Sequence, residues 1–137
     1  DAIQIPYNVL DQRLDACSFF ALAKQNGKII FARSAFLQGL LLMHPSKAEM
    51  SVRGSAQWIE RFHQIVRRYD CSPAEVAMLY VLLHPHIDYV VFGVDTPQQL
   101  RENLGIPERA TASALCCQYL RGAFSDISPE IIQPNLW

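Results

Sequence analysis

The sequence predicts an α/β fold in which three short parallel β-strands carry flanking helices. Two observations lead there. Apolar, β-rich runs recur at residues 2–6, 28–33 and 87–92, and segments with helical periodicity separate and follow them. The order is strand, helix, strand, two helices, strand, helix, helix, and such alternation implies parallel strands joined by right-handed crossovers. Ligands of folds of this kind gather at the carboxyl ends of the strands.

The first strand, AIQIP at residues 2–6, is apolar apart from Gln4. Residues 11–26 read as a helix: Leu10, Leu14, Cys17 and Ala21 share a stripe, Phe20 lies close by, and Gly27 occupies the position just past the end. KIIFAR at 28–33 is the second strand, SAFLQGLLL follows at 34–42, and residues 45–54 read as a loop. From Ser55 to Tyr69, Trp58, Ile59, Phe62, Ile65, Val66 and Tyr69 keep helical spacing, while Glu60, Arg61, Gln64, Arg67 and Arg68 take the other faces. Ser72-Pro73-Ala74-Glu75 is a capping box with proline at the first helical position, and it launches a helix to about Leu83, where His84-Pro85-His86 stops it.

The stretch IDYVVFGVDTPQQLREN at 87–103 is the most informative. Ile87, Tyr89, Val90, Val91 and Phe92 make a nearly continuous apolar run, as expected of a strand covered on both faces. Gly93 is expected to turn the backbone tightly, Thr96 to cap a helix, Pro97 to fill its first position, and Gln99 to complete a second capping box. A strand that opens into a helix N-terminus presents unpaired N–H groups and a positive dipole end, which suits a phosphate and equally serves as a plain connection. Leu104-Gly105-Ile106-Pro107 closes that helix, residues 110–124 read as another, and Ser128-Pro129-Glu130 starts a last turn.

Composition narrows the classes. The 137 residues match one domain, residues 1–137 without repeat or linker, and half of them are hydrophobic, enough for one core. The net charge of −1 is spread along the chain, so neither nucleic acid nor a membrane surface is an expected partner. The longest apolar cluster, 35–43, is broken by Gln38 and Gly39 and falls short of the ~20 residues a membrane span needs. Cys17, Cys71, Cys116 and Cys117 show no Cys-x-x-Cys spacing, which suits neither a disulfide framework nor zinc and leads us to expect a reducing, cytoplasmic setting. Cys116 and Cys117 fall in a helical pattern that includes a buried apolar position. His84 and His86 lack a partner cluster, so a surface or capping role, and no metal, is expected. Three strands are too few to close a barrel, and both outer ones would leave bare edges. With Asp1 starting inside a strand and no initiator Met, the expectation is part of a larger domain.

Four segments occur in the order and spacing of the C-terminal part of an aldo-keto reductase: IQIPYN at 3–8, ARSAFLQGLLL at 32–42, the SPAEVAMLYVL helix, and FGVDTPQQLREN at 92–103. The closing IIQPNLW is similar to the C-terminus of one bacterial branch. The chain thus resembles that family from end to end. The resemblance implies part of a (β/α)8 TIM barrel, its sixth to eighth strands, and reduction of an aldehyde or ketone with NADPH or NADH as cofactor. Gln4 would hydrogen-bond the nicotinamide carboxamide, and Ser34, Leu37 and Gly39 would wrap the pyrophosphate. Gln99, Glu102 and Asn103 would meet the adenosine end, beside Gly93 and the Thr96 cap. At Arg33 the family often has an aromatic that stacks on the nicotinamide; arginine can stack or pair with phosphate. At Val94 and Asp95 it often offers a basic or hydroxyl group to a 2′-phosphate, whereas an acid repels that phosphate and can accept from a ribose hydroxyl. Both cofactors therefore stay open. The family's catalytic Tyr, Lys, Asp and His lie on the first four strands, so none is assigned here. The implied partners are the cofactor, a small carbonyl substrate and the N-terminal part of the barrel. The alternative is a non-catalytic cofactor-binding or interaction module that completes its sheet with another chain.

Overall fold

The computed structural model describes residues 1–107 and 110–137, without the side chains of 110–112. Three parallel strands, β1 (Ala2–Pro6), β2 (Ile29–Arg33) and β3 (Tyr89–Val91), form one sheet in the order β1-β2-β3. The register aligns Gln4 with Phe31 and Phe31 with Tyr89, and it aligns Pro6 with Arg33 and Arg33 with Val91. Successive strand residues face opposite sides, so Gln4, Phe31, Arg33, Tyr89 and Val91 share one face. The rings of Phe31 and Tyr89 stack across it at 4.8 Å. Ile30 and Ala32 point the other way, toward the helices, and are fully buried.

The third strand differs from expectation. It is three residues long rather than six, and it is covered on one face only: Tyr89 is 56% and Val91 42% exposed. The helices lie against the opposite face, and nothing among the described residues covers the face of Gln4, Ile29 and Arg33. Asp88 fastens the entry to β3 instead of extending it. Its backbone N–H donates to the Ile30 carbonyl, and its carboxylate accepts from the Ile30 N–H at 2.7 Å and pairs with Lys24 at 2.5 Å.

Two helical predictions also change. Helix α1 spans Phe19–Gln25, not residues 11–26. The buried Asn8 side chain explains the late start, because its Oδ1 accepts from the N–H groups of Leu10 and Asp11, both at 3.0 Å, and holds a turn in place of a helix. Gln12, also buried, donates to the carbonyls of Val9 and Leu120 and accepts from the Gly122 N–H, tying this turn to the far end of the chain. The predicted loop at 45–54 contains α2 (Pro45–Ser51), capped by the His44 ring and opened by Pro45 at its first position.

The remaining helices follow the sequence. α3 (Ala56–Arg68) buries Ile59, Phe62, Ile65 and Val66. α4 (Pro73–Leu82) is capped by Ser72, whose hydroxyl accepts from the Glu75 N–H at 3.2 Å, and it buries every residue from Val76 to Val81. α5 (Pro97–Leu104) buries none. α6 (Ala110–Leu120) ends four residues before the expected Phe124, at a turn where Gly122 adopts φ +78°. It packs on α4 and buries both Cys116 and Cys117. α7 (Pro129–Ile132) begins at the predicted Ser-Pro-Glu.

His84, expected in a surface or capping role, is not on the surface. It is buried beside Phe20 and Tyr7, its Nδ1 accepts from the His86 N–H at 3.2 Å, and its Nε2 meets Asp15 at 3.1 Å. The Tyr7 hydroxyl donates to the other oxygen of Asp15 at 2.7 Å. Burial pushes Tyr7 upward, while Asp15, although burial opposes its ionisation, is held below the usual carboxylate range by the hydrogen bonds from His84 and Tyr7.

Candidate functional site

The segment after β2 is the most strained part of the backbone. Ser34, Leu37 and Gln38 adopt φ of 65°, 48° and 55°, and Gly39 follows at 81°. A left-handed conformation costs an ordinary residue about 1–3 kcal/mol and persists only where surrounding structure enforces it. Here Leu37, Leu40 and Leu41 enforce it by burying their side chains behind the loop, and His63 Nε2 reaches the Leu41 carbonyl at 2.8 Å. Leu37 and Leu40 donate to the carbonyls of Ser34 and Leu37, but the N–H groups of Phe36, Gln38 and Gly39 meet no protein acceptor among the described residues. The loop therefore presents several donors to solvent at the carboxyl end of a strand, the arrangement of an anion nest.

Facing it is the start of α5. Thr96 caps the helix as expected, its hydroxyl accepting from the Gln99 N–H at 3.2 Å. The return bond is displaced by one residue: Gln99 Oε1 accepts from the Asp95 N–H at 2.8 Å rather than from Thr96. Pro97 has no N–H and Gln99's is taken, so the N–H groups of Thr96 and Gln98 are the ones in this turn that meet no protein acceptor among the described residues. Among the described residues the loop after β2 thus leaves more backbone donors free than this helix start; the strand-to-helix pattern points to the second and the family resemblance to the first. Gly93 does not make a tight turn either. Its φ lies outside the left-handed region, and a Cβ there would meet nothing within 4 Å.

Loop and helix start enclose one cavity of about 870 Å³. Arg33, Ser34, Gly39, Gly93, Asp95, Gln99, Glu102 and Asn103, all singled out from sequence, line it together. Leu37 and Thr96 do not line it: the first is a buried anchor of the loop and the second, exposed, is the cap of α5. Gln4 is not brought in. It lies exposed on the open face of the sheet, two residues short of Pro6, the register partner of Arg33, and hence about 7 Å further down the strands.

Sequence reasoning missed Phe36, Gln38 and Leu42 on the strained loop, Ala74 on α4, and Val91 and Phe92. The run of small and apolar residues around Gly39 was the available signal for the first three. Nothing in the sequence marks Ala74.

The wall is electrostatically divided. Arg33, the lining cation, donates to Ser34 Oγ at 3.2 Å on the β2 side. Asp95 and Glu102 supply carboxylates on the α5 side, where Glu102 accepts from Gln98 Nε2 at 2.8 Å. Backbone donors and a cation on one side with acceptors on the other fit an elongated ligand whose phosphate end differs from its hydroxyl-bearing end.

Comparison with known proteins agrees with the resemblance. The chain is 24% identical to the NADH-specific methylglyoxal reductase of Escherichia coli (strain K12), in a match covering 76% of this chain and 36% of that protein. Its fold is similar to the aldo-keto reductase AKR11C1 from Bacillus halodurans (holo form), with a TM-score of 0.68 and 18% identity over 95% of this chain and 45% of that one. A thermostable aldo-keto reductase, Tm1743, in complex with the inhibitor epalrestat matches with a TM-score of 0.57 and 17% identity, covering 85% of this chain and 39% of its own. The chain spans less than half the length of each, and its three strands with their flanking helices are part of a TIM-barrel architecture. The sequence model of the aldo/keto reductase family matches residues 1–114, so the chain belongs to that family.

Proposed function

We propose that the chain forms the cofactor-binding part of an NADH-dependent reductase of a small aldehyde or ketone. The single observation that carries this reading is the strained loop of Ser34 to Gly39 facing the acidic start of α5 across one cavity. Bound NADH supplies a hydride to the carbonyl carbon. The N–H groups of Phe36, Gln38 and Gly39, with Arg33 beside them, bind the pyrophosphate. Asp95 and Glu102 accept from ribose hydroxyls, and their charge disfavours a 2′-phosphate, which selects NADH over NADPH. The NADH specificity stated for the Escherichia coli relative supports the same choice. Gln4, on the open sheet face below Arg33, orients the nicotinamide carboxamide, and the proton donor to the carbonyl comes from strands outside this chain.

The chain then works as one portion of a barrel domain, joined along its bare strand edges to the N-terminal part. No helix among the described residues is long and apolar enough to cross a membrane. The cysteines, free among the described residues, support a reducing, cytoplasmic setting. Calorimetric titration of the purified protein with each cofactor tests the reading. Saturable NADH binding, with NADPH several-fold weaker, is expected; saturation by neither removes the assignment. A second reading, an interaction module that completes its sheet with another chain, is favoured by the exposed Ile29, Tyr89 and Val91 on the uncovered face. Under it, light scattering finds stable oligomers, and a monodisperse monomer counts against it.

A further inference from the structure

A second cavity, of about 370 Å³, lies on the other side of the helical layer between α3 and the turn that ends α6. Arg61, Arg68 and Arg121 line it together with Gln64 and Tyr119, and no carboxylate does. Two of the guanidinium groups are held in place by aromatic rings: Arg61 lies 5.3 Å from the centre of Phe124, and Arg121 lies 5.1 Å from that of Tyr80. Such stacking fixes a cation without neutralising it. Arg121 also donates to the Leu83 carbonyl at 3.4 Å, and Arg68 makes neither an ion pair nor a hydrogen bond among the described residues. The neighbouring Arg67 behaves differently, since it pairs with Glu60 at 2.9 Å. The carboxylate whose charge reaches Arg121, Asp15, is already engaged by Tyr7 and His84.

Three cations line this cavity, two of them without an ion-pair partner among the described residues and the third met only by the charge of Asp15; an anion held between them offsets their mutual repulsion while using the planar donor forks of arginine. The wall is also firm. The Gly122 N–H is fixed by the buried Gln12 side chain at 2.7 Å, so this side of the cavity does not need to reorganise around a ligand.

We propose that this cavity is a second anion site, separate from the loop after β2, which takes the phosphate group of a small phosphorylated metabolite. Its volume suits a compact phosphate ester and is less than half that of the first cavity. The inference does not depend on the reductase reading.

The test is calorimetric titration of the purified protein with inorganic pyrophosphate and inorganic phosphate at constant ionic strength. Saturable binding of inorganic phosphate is expected, weakened at least tenfold in the Arg61→Gln/Arg68→Gln double variant and unchanged in Arg67→Gln, whose side chain pairs with Glu60 and does not line this cavity. Arg68→Gln by itself alters an exposed side chain that makes no hydrogen bond or ion pair among the described residues, and it weakens binding several-fold even where the double variant is poorly folded. Absence of saturable binding, binding unaffected by Arg68→Gln, or binding lost equally in Arg67→Gln each overturns the proposal.

Discussion

Replacing Thr96 by Ala tests how α5 is held in the wall of the main cavity. The helix has eight residues and buries none of them, and helices of fewer than about 12 residues are marginal in water without tertiary support. Its cap therefore matters more than the Ser72 cap of α4, a helix held by burial of every residue from Val76 to Val81. Thr96→Ala removes the 3.2 Å bond to the Gln99 N–H and leaves the Gln99–Asp95 bond in place. Loss of one such cap costs about 1 kcal/mol, which is roughly a fivefold change in an opening equilibrium. Hydrogen exchange is the assay. The amide of Leu100, bonded to the Thr96 carbonyl, and those of the next turn should exchange about fivefold faster. They should already exchange faster than the buried Leu79 and Tyr80 of α4 in the parent protein, and Thr96→Ser should restore most of the protection. Unchanged exchange in α5 would mean that the cap contributes nothing. A loss of global stability above about 3 kcal/mol would mean that α5 belongs to the core, contrary to its exposure.

Asp95→Ser should raise affinity for NADPH relative to NADH by about fivefold to tenfold, the effect of removing about 1 kcal/mol of like-charge repulsion near a protein surface; an unchanged ratio in paired titrations would place the 2′-position elsewhere. Asp15→Ala should destabilise by about 1–3 kcal/mol, because it strips the buried Tyr7 hydroxyl and His84 of their common partner. Because the carboxylate is held below its usual range in the folded state, Asp15's contribution is complete above the ordinary carboxylate pKa and disappears as pH falls through the lower folded value. The gap between parent and variant urea midpoints should accordingly close in acid, and a gap that widens there would contradict the assignment. In native protein Cys17, which is exposed, should be alkylated first, whereas burial pushes the thiols of Cys116 and Cys117 up to about 11 and about 12 and keeps them unreactive until the chain unfolds. Labelling at equal rates, followed by mass spectrometry, would show that α6 does not pack as described.

The parts of this fold that sequence discloses are those in which local chemistry and tertiary structure agree. The two Ser/Thr-Pro openings at Ser72 and Thr96 name their own caps, and the stripe from Ile59 to Val66 names its own buried face. Disagreement arises where a distant contact decides. Residues 11–18 have helical spacing, yet Asn8 and Gln12 spend their side chains on backbone groups and hold a turn. His44 caps α2 although histidine lies outside the usual capping set. The run from Tyr89 to Phe92 reads as doubly covered because both of its faces are apolar, and only the sheet reveals that one face is left uncovered among the described residues.

The site divides in the same way. Loop and helix start could be placed together from sequence because the family resemblance aligned their motifs, and eight of those residues do line one cavity. The left-handed backbone at Leu37 and Gln38 has no local signature, since neither residue favours that conformation. It is imposed by the buried leucines behind the loop. For that reason the resemblance could point to the loop's backbone N–H groups but not to which of them stay free, while the Gly93 turn and the α5 N-terminus drew more weight than their geometry supports.

Hydrogen exchange with and without NADH tests the central claim most directly, because it locates the cofactor as well as detecting it. Slower exchange should concentrate at the amides of Phe36, Gln38 and Gly39 and at the start of α5, with little change along α3 and α6. Saturable NADH binding that protects some other surface, and leaves the loop after β2 exchanging as before, would contradict the account.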